Sequence, residues 1–259
     1  MNRMYSVIAS TSCVVVTLSM GAPAGADLID FDSLQVGEIV AEQFAGMGVH
    51  IEVINDGHPS IDLGIIFDSF GSSGHDSDLE GPPWSSGNAS SDVFANLLII
   101  AENDVDANND GLIDDPDDEA GGGSIIFRFD IPVFEFGFSL IDIETSESGP
   151  TASVMFFNDE VFVGMVDFSD LVDSGSAFFD PTIVFGNHSA NHVQPMSFFN
   201  GIDPLEFNEV RFVLQGSGAI DNIFFASVPS PGATALVLLG LIIGGGGRRR
   251  RHVAQTNPY

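Results

Sequence analysis

An all-β domain, an antiparallel β-sandwich of jelly-roll type, is the fold class this sequence predicts. Three observations predict it. Apolar residues recur with a period of two, turn-forming residues interrupt them at short intervals, and no stretch of the central region carries a helical stripe. In "SIIFRFD" (Ser124–Asp130), Ile125, Phe127 and Phe129 share one face while Arg128 and Asp130 take the other. "FEFGFSL" keeps Phe134, Phe136, Phe138 and Leu140 in phase, and "EVRFVLQ" does the same with Val210, Phe212 and Leu214 around an outward Arg211. "MFFNDEVFVGMV" is two apolar runs around Asn158-Asp159-Glu160 and predicts a hairpin. "LGIIFDS" and "NLLIIAE" are further strand candidates. Many short strands with turn signals between them favour a sandwich.

The two ends read differently. Arg3 is followed by apolar "VIASTSCVVVTLSM" and by small residues at Ala24 and Ala26, the layout of a secretory signal peptide cleaved after Ala26. At the other end "VPSPG" (Val228, Pro229, Ser230, Pro231, Gly232) precedes an apolar run and four arginines, Arg248, Arg249, Arg250 and Arg251. The apolar stretch Ala233–Gly247 is fifteen residues, short of the roughly 20 of a comfortable span. The arginine block should stay cytoplasmic. This order of motif, short transmembrane helix and basic cluster resembles the PEP-CTERM sorting signal of Gram-negative bacteria, with Ser230 where the commonest version has Glu. The resemblance implies processing by a signal peptidase and an exosortase-type enzyme. It also implies a transient anchor in the cytoplasmic membrane and a final place in the cell envelope, on the surface or outside. The expected organisation is residues 1–26 signal peptide, 27–227 β-sandwich domain and 228–259 sorting tail. The opening "IDFDSLQVGEIVAEQFAGMGVHIE" and closing "AIDNIFFASVP" are similar to those of other exported proteins with this tail, read as β-sandwiches of unknown ligand.

Residues 27–227 are long enough for one well-buried domain. Cys13, the only cysteine, lies in the signal, so the mature chain has no disulfide to lean on. All 37 acidic residues fall in this region against Arg128 and Arg211, a formal charge of −35, and there is no lysine. Nucleic acid and anionic membrane surfaces are repelled by such a field, and divalent cations are its natural counterions. Adaptation to a salty medium is a compatible reading.

The charge concentrates in "DVDANNDGLIDDPDDE" (Asp104–Glu119), eight carboxylates in sixteen residues. One register fits a calcium loop: Asp106, Asn108 and Asp110 at positions 1, 3 and 5, Gly111 at the sharp turn, the Leu112 carbonyl at 7, Asp114 at 9 and Asp117 at 12. Calcium takes six to eight hard oxygens, and alternate residues of a tight loop all point inward. Pro116 and the following glycines forbid an exiting helix, so this is a calcium loop set between strands and not a helix–loop–helix hand. The competing reading is a solvated acidic loop. Asp30, Asp32, Asp142, Glu144 and Asp221 flank strands and offer a second, weaker site, against which stand ordinary exposed strand-end acids.

Catalytic signatures are sparse. The mature chain has no cysteine nucleophile and no G-x-S-x-G elbow. His188 and His192 have i, i+4 spacing in a Gly/Asn/Ser-rich segment that reads as loop. No pair of carboxylates stands out as a glycosidase pair. The expected function is a non-catalytic surface or matrix protein, calcium-stabilised and associated with extracellular polysaccharide. The alternative is a carbohydrate-binding module in which Trp84, the sole tryptophan, forms a sugar platform or, equally, a buried loop anchor. A glycan-acting hydrolase is a third reading.

Overall fold

The structure, a computed structural model, describes residues 25–71, 76–144 and 152–227. The signal-peptide residues before Gly25 and the sorting residues Val228–Gly232 and Arg248–Arg251 lie outside the described residues, as does the apolar C-terminal run. Among the described residues no helix is long and apolar enough to cross a membrane.

The chain is all-β and antiparallel, as its alternation predicts. In order the strands are β1 (Gly25–Ile29), β2 (Ile39–Val40), β3 (Val49–Asn55), β4 (Gly64–Asp68), β5 (Asn96–Ile100), β6 (Gly123–Ile141), β7 (Ser153–Asn158) and β8 (Val161–Asp167). After a short helix α1 (Phe168–Val172) come β9 (Ala190–Met196), β10 (Phe199–Asn200), β11 (Asp203–Pro204), β12 (Phe207–Leu214) and β13 (Ala219–Ser227). Eleven strands form one hydrogen-bonded sheet, and β10 and β11 pair separately. The first strand pairs with the last, Gly25 opposite Ser227 and Ile29 opposite Ile223.

Strand β6 organises the sheet. Its first half lies between β3 and β12, with Phe127 opposite both Ile51 and Val210. Its second half lies between β13 and β9, with Ser139 opposite both Asp221 and His192. The sequence predicts two strands here, 124–130 and 134–140; the structure runs one strand through Pro132. The hand-over explains this. The β12 ladder slips between Phe207 and Glu209 and the β13 ladder between Ala226 and Ser227, and a proline, lacking an N–H, is tolerated where a ladder is already irregular.

Folding at β6 makes a sandwich-like pair of layers, one containing β9, β6, β13, β1, β5, β4 and β2, the other β3, β6, β12, β7 and β8. Their facing sides meet in a phenylalanine-rich core: Phe127, Phe136, Phe138, Phe156 and Phe212 are buried together. Phe138 of one layer stands edge-on to Phe212 of the other at 4.8 Å between ring centres. The phase read from the sequence is the phase of this core except at Phe134, which is half-buried while Val133 beside it is buried, where the ladders of β6 slip.

The first layer is covered on its outer side as well. Ile65, Phe67, Leu97, Ile99, Ile141 and Ala219 form a second core under the loop that carries Leu79, Trp84 and Phe94 and under Ile113 of the acidic segment. The predicted hairpin is present: Asn158 pairs with Val161, and Asp159 and Glu160 both adopt positive φ, 48° and 67°, the conformation whose twist suits a two-residue hairpin. Asn208 holds that turn by accepting from the Asp159 N–H at 2.9 Å and donating to its carboxylate at 2.8 Å. Helix α1 was not expected; at five residues it is too short to display a helical period, and it buries Phe168 and Leu171.

Candidate metal centre in the acidic loop

The acidic segment joins β5 to β6 and is docked, not free. Glu102 N–H donates to the Asp117 carbonyl at 3.0 Å, Ile113 N–H to the Gly37 carbonyl at 2.9 Å and Glu119 N–H to the Ile100 carbonyl at 2.9 Å. Ala101 and Asp118 form a further antiparallel bridge. Ile113, at its middle, is buried in the outer core. The tip is exposed and the two ends are held.

Within the tip the predicted ligand residues are gathered by the backbone. Asp106 accepts from the N–H groups of Asp110 at 3.1 Å and Gly111 at 2.9 Å. Asn108 accepts from Asp110 N–H at 2.8 Å and donates to the Asp114 carboxylate at 3.1 Å. Asp110 accepts from Leu112 N–H at 2.9 Å, and Asp114 accepts from Ala107 N–H at 2.6 Å. Gly111 has φ +89°, a left-handed turn that a side chain resists. Asp106, Asn108, Asp110, Leu112 and Asp114 thus share one closed loop, with side-chain oxygens turned inward to N–H groups.

Asp117 does not join them. It stands with Asp76 and Asp118, the three carboxylates offering oxygens within 4.8 Å of one another, and this is the group of that kind among the described residues. The twelfth position of the expected register is therefore corrected: Asp117 follows Pro116 into the docked base, where the chain is already pairing with the Ala101–Glu102 stretch. Asp118 is 6% exposed and accepts a backbone hydrogen bond from Gly218. Burial, reinforced by a hydrogen bond to the Asp76 carboxyl, pushes Asp118 well above the ordinary carboxylate range. Burial and then the Glu102 carboxylate raise Asp117 as well. Like charges at short range are relieved by keeping protons or by taking a cation. Asp76 and Glu102 are not singled out by sequence; Asp76 lies 41 positions from Asp117, and no spacing rule joins them.

Next to this base, His58 stands 2.5 Å from the buried Glu119 carboxylate. The hydrogen bond to Glu119 raises the imidazole above its ordinary value. Burial opposes ionisation of Glu119, but His58 and the Gly121 N–H outweigh it and hold that carboxyl below its ordinary value.

Trp84 is the buried anchor and not a platform. It is 4% exposed, donates its indole N–H to the Asp92 carbonyl at 3.0 Å and packs edge-on to Phe94. Its ring faces are therefore withheld from any sugar, which corrects the exposed reading of this residue. His192 is corrected too: it lies in β9 and not in a loop, whereas His188 precedes the strand with φ +56°. His192 Nδ1 is 2.7 Å from Ser139 Oγ and its Nε2 is 2.9 Å from Asp92. The order Ser–His–Asp is that of a nucleophilic relay, but Ser139 is 0% exposed near the C-terminal end of β6. The arrangement gives the buried Ser139 hydroxyl a partner across β6 and β9.

Comparison of the chain with protein-family models, with curated proteins and with solved structures gives no match.

Proposed function

We propose that this chain is a non-catalytic, exported surface or matrix protein whose β-sandwich is rigidified by calcium at the 104–119 segment. The observation that carries the reading is the ordered docking, through Ile113 and its two ends, of a segment that bears eight carboxylates. A solvated acidic tract would repel itself into an open coil, whereas this one is closed at the tip around Gly111 and packed at Ile113. The donor set is made of hard oxygens from Asp, Asn and a backbone carbonyl, the chemistry calcium takes in preference to softer metals. Asp106, Asn108, Asp110, Asp114 and the Leu112 carbonyl would hold the ion at the tip. The formal charge of −35 supports the same reading: a cation that bridges this surface to acidic extracellular polysaccharide would give the domain its place in a matrix. The tail resembling a PEP-CTERM signal supports export and sorting. Burial of Trp84 removes the observation on which a carbohydrate platform rested.

The test is calcium itself. The full chain in detergent is stripped with chelator, and thermal unfolding is followed as Ca2+ or Mg2+ is restored, with Asp106→Ala and Asp110→Ala beside it. A calcium-selective rise in midpoint that both variants lose supports the site; a rise that survives both, or none at all, overturns it.

A further inference from the structure

The two layers part along one margin. There β2, beside β4, is the margin of the first layer, and β3, beside β6, is the margin of the second. Between them lies a cleft of about 480 Å³. Hydrogen bonds pin both of its ends: Ile51 N–H donates to the Ala41 carbonyl at 2.9 Å, and Asn55 N–H to the Asp62 carboxylate at 2.9 Å. Alternate residues of an antiparallel strand turn their backbone groups the same way. Val53, halfway between the pins, therefore presents its own N–H and carbonyl to the cleft. The floor is apolar. Val40, Ile51 and Val53 are buried in it, and Gly64 lets the walls close together, since a Cβ there would lie 2.8 Å from a Val53 methyl.

The rim is polar and already ordered. Glu42, Glu52 and Arg128 line it. His50 steadies Glu42: its Nδ1 is 2.6 Å from that carboxylate and its Nε2 is 3.2 Å from Asp130. Arg128 pairs through Nη1 with Glu52 and through Nε with Glu209 at 3.2 Å. These pairs leave capacity over, because a carboxylate accepts at about four sites and a guanidinium donates five N–H groups. The side chains of Glu42, Glu52 and Arg128 are 70%, 52% and 44% exposed, so that capacity faces solvent. The balance selects the ligand. Residues 27–227 carry 37 carboxylates and two arginines, so a strong donor set among acceptors is scarce on this surface. An anion meets Glu42, Glu52 and Asp62, and a metal ion meets Arg128. A wholly apolar ligand strips water from the rim without replacing its hydrogen bonds. A sugar hydroxyl donates and accepts at once. It bridges carboxylate to guanidinium without disturbing either charge, while the C–H face of the ring lies on the apolar floor.

We propose that the cleft between β2 and β3 binds a pyranose unit of a neutral polysaccharide, with Glu42 and Glu52 accepting from its hydroxyls and Arg128 donating to them. His50 is a positioning residue that holds Glu42. The site gives the domain a direct hold on a glycan chain. It involves neither the buried Trp84 nor calcium at the 104–119 segment.

The experiment is affinity electrophoresis of the full chain in a detergent without a sugar headgroup, with chelator in the gel. The probes are soluble glucan, mannan, galactan and xylan, with polygalacturonate as the acidic comparison. The expected result is saturable retardation by at least one neutral polymer. Binding should weaken at least tenfold in Arg128→Gln and in Glu42→Ala, and stay unchanged in Glu206→Ala, which removes a carboxylate outside the cleft. The Glu42 side chain is exposed, so Glu42→Ala decides the matter if Arg128→Gln fails to fold, as read by circular dichroism. No retardation by any of the neutral polymers overturns the proposal. So does retardation that Glu42→Ala retains in full, or retardation by polygalacturonate alone. Calorimetric binding of the free monosaccharide with no retardation by its polymer overturns the polysaccharide assignment. Calcium is absent throughout, so none of these outcomes depends on metal at the acidic loop.

Discussion

Ile113 and Gly37 meet backbone to backbone: the Ile113 N–H donates to the Gly37 carbonyl at 2.9 Å, and a Cβ placed on Gly37 would lie 2.2 Å from the Ile113 carbonyl oxygen. This contact is where the acidic segment is fastened to the chain ahead of β2. Gly37 also has φ +78°. Gly37→Ala therefore combines backbone strain with a clash that no flexible side chain can relieve. We expect a loss of about 2–3 kcal/mol, or roughly 5–10 °C in thermal midpoint. Gly111→Ala is the control. Its φ is +89° but nothing lies within 4 Å of the added Cβ, so strain alone operates, about 1 kcal/mol. Equal effects at the two positions would show that docking through Ile113 does not matter.

The raised carboxyls set the pH dependence of the metal-free protein. Burial pushes Asp221 up to about 8, and burial with Asp76 pushes Asp118 well up. Unfolded, each returns to about 4. Across the interval the folded state holds more protons than the unfolded one, so stability falls as pH rises from about 4, and for Asp221 the fall continues to about 8. The slope is at most about 1.4 kcal/mol per pH unit for each such group. If a calcium ion engages either carboxyl it takes the place of that proton, and the slope reverses: acid then competes with the metal and stability falls as pH is lowered. Thermal midpoints measured from pH 5 to 8 in chelator and in calcium should diverge with pH. Parallel profiles would mean that no metal engages these carboxylates.

Trp84 fastens the long 77–96 loop to the outer core. Trp84→Ala removes a ring packed against Phe94 and leaves the Asp92 carbonyl without its indole donor. A loss of about 3–5 kcal/mol in unfolding free energy is expected, with Trp84→Phe losing less because the ring is largely kept. Denaturant unfolding reads this directly. A Trp84→Ala variant of unchanged stability would contradict the buried placement.

The strand positions and their inward phase were legible because alternation is a local property. Ile125, Phe127 and Phe129, then Phe136, Phe138 and Leu140, could be assigned to the core from spacing alone. What was not legible depends on neighbours in space. The continuity of β6 through Pro132 follows from partners 70 or more positions away, Phe207 and Ser227, whose ladders slip there. The tip residues Asp106 to Asp114 were legible as one closed loop because their spacing is local to one stretch of chain. Asp117 was misplaced because its company, Asp76 and Asp118, is assembled by the sheet. Asp221 could be named only among several strand-flanking acids of a weaker second site; its burial depends on neighbours that the sheet brings in.

His58 and Glu119 make a pH window of their own. The imidazole is raised by its hydrogen bond to Glu119, so its contribution is complete below about 6.5 and is lost as pH rises through the folded value. Glu119 is lowered, against the effect of burial, by His58 and the Gly121 N–H. Its contribution is complete above about 4.3 and is lost as pH falls through the folded value. The pair is therefore strongest between these limits. His58→Ala should lower the thermal midpoint more at pH 5.5 than at a pH above the folded value of His58, where the imidazole of the parent has lost its charge. His58→Gln keeps a donor toward Glu119 without a titrating group, so it should recover part of the loss and flatten the difference between the two pH values. A deficit in His58→Ala that is the same at both would assign the residue to packing and not to the ion pair.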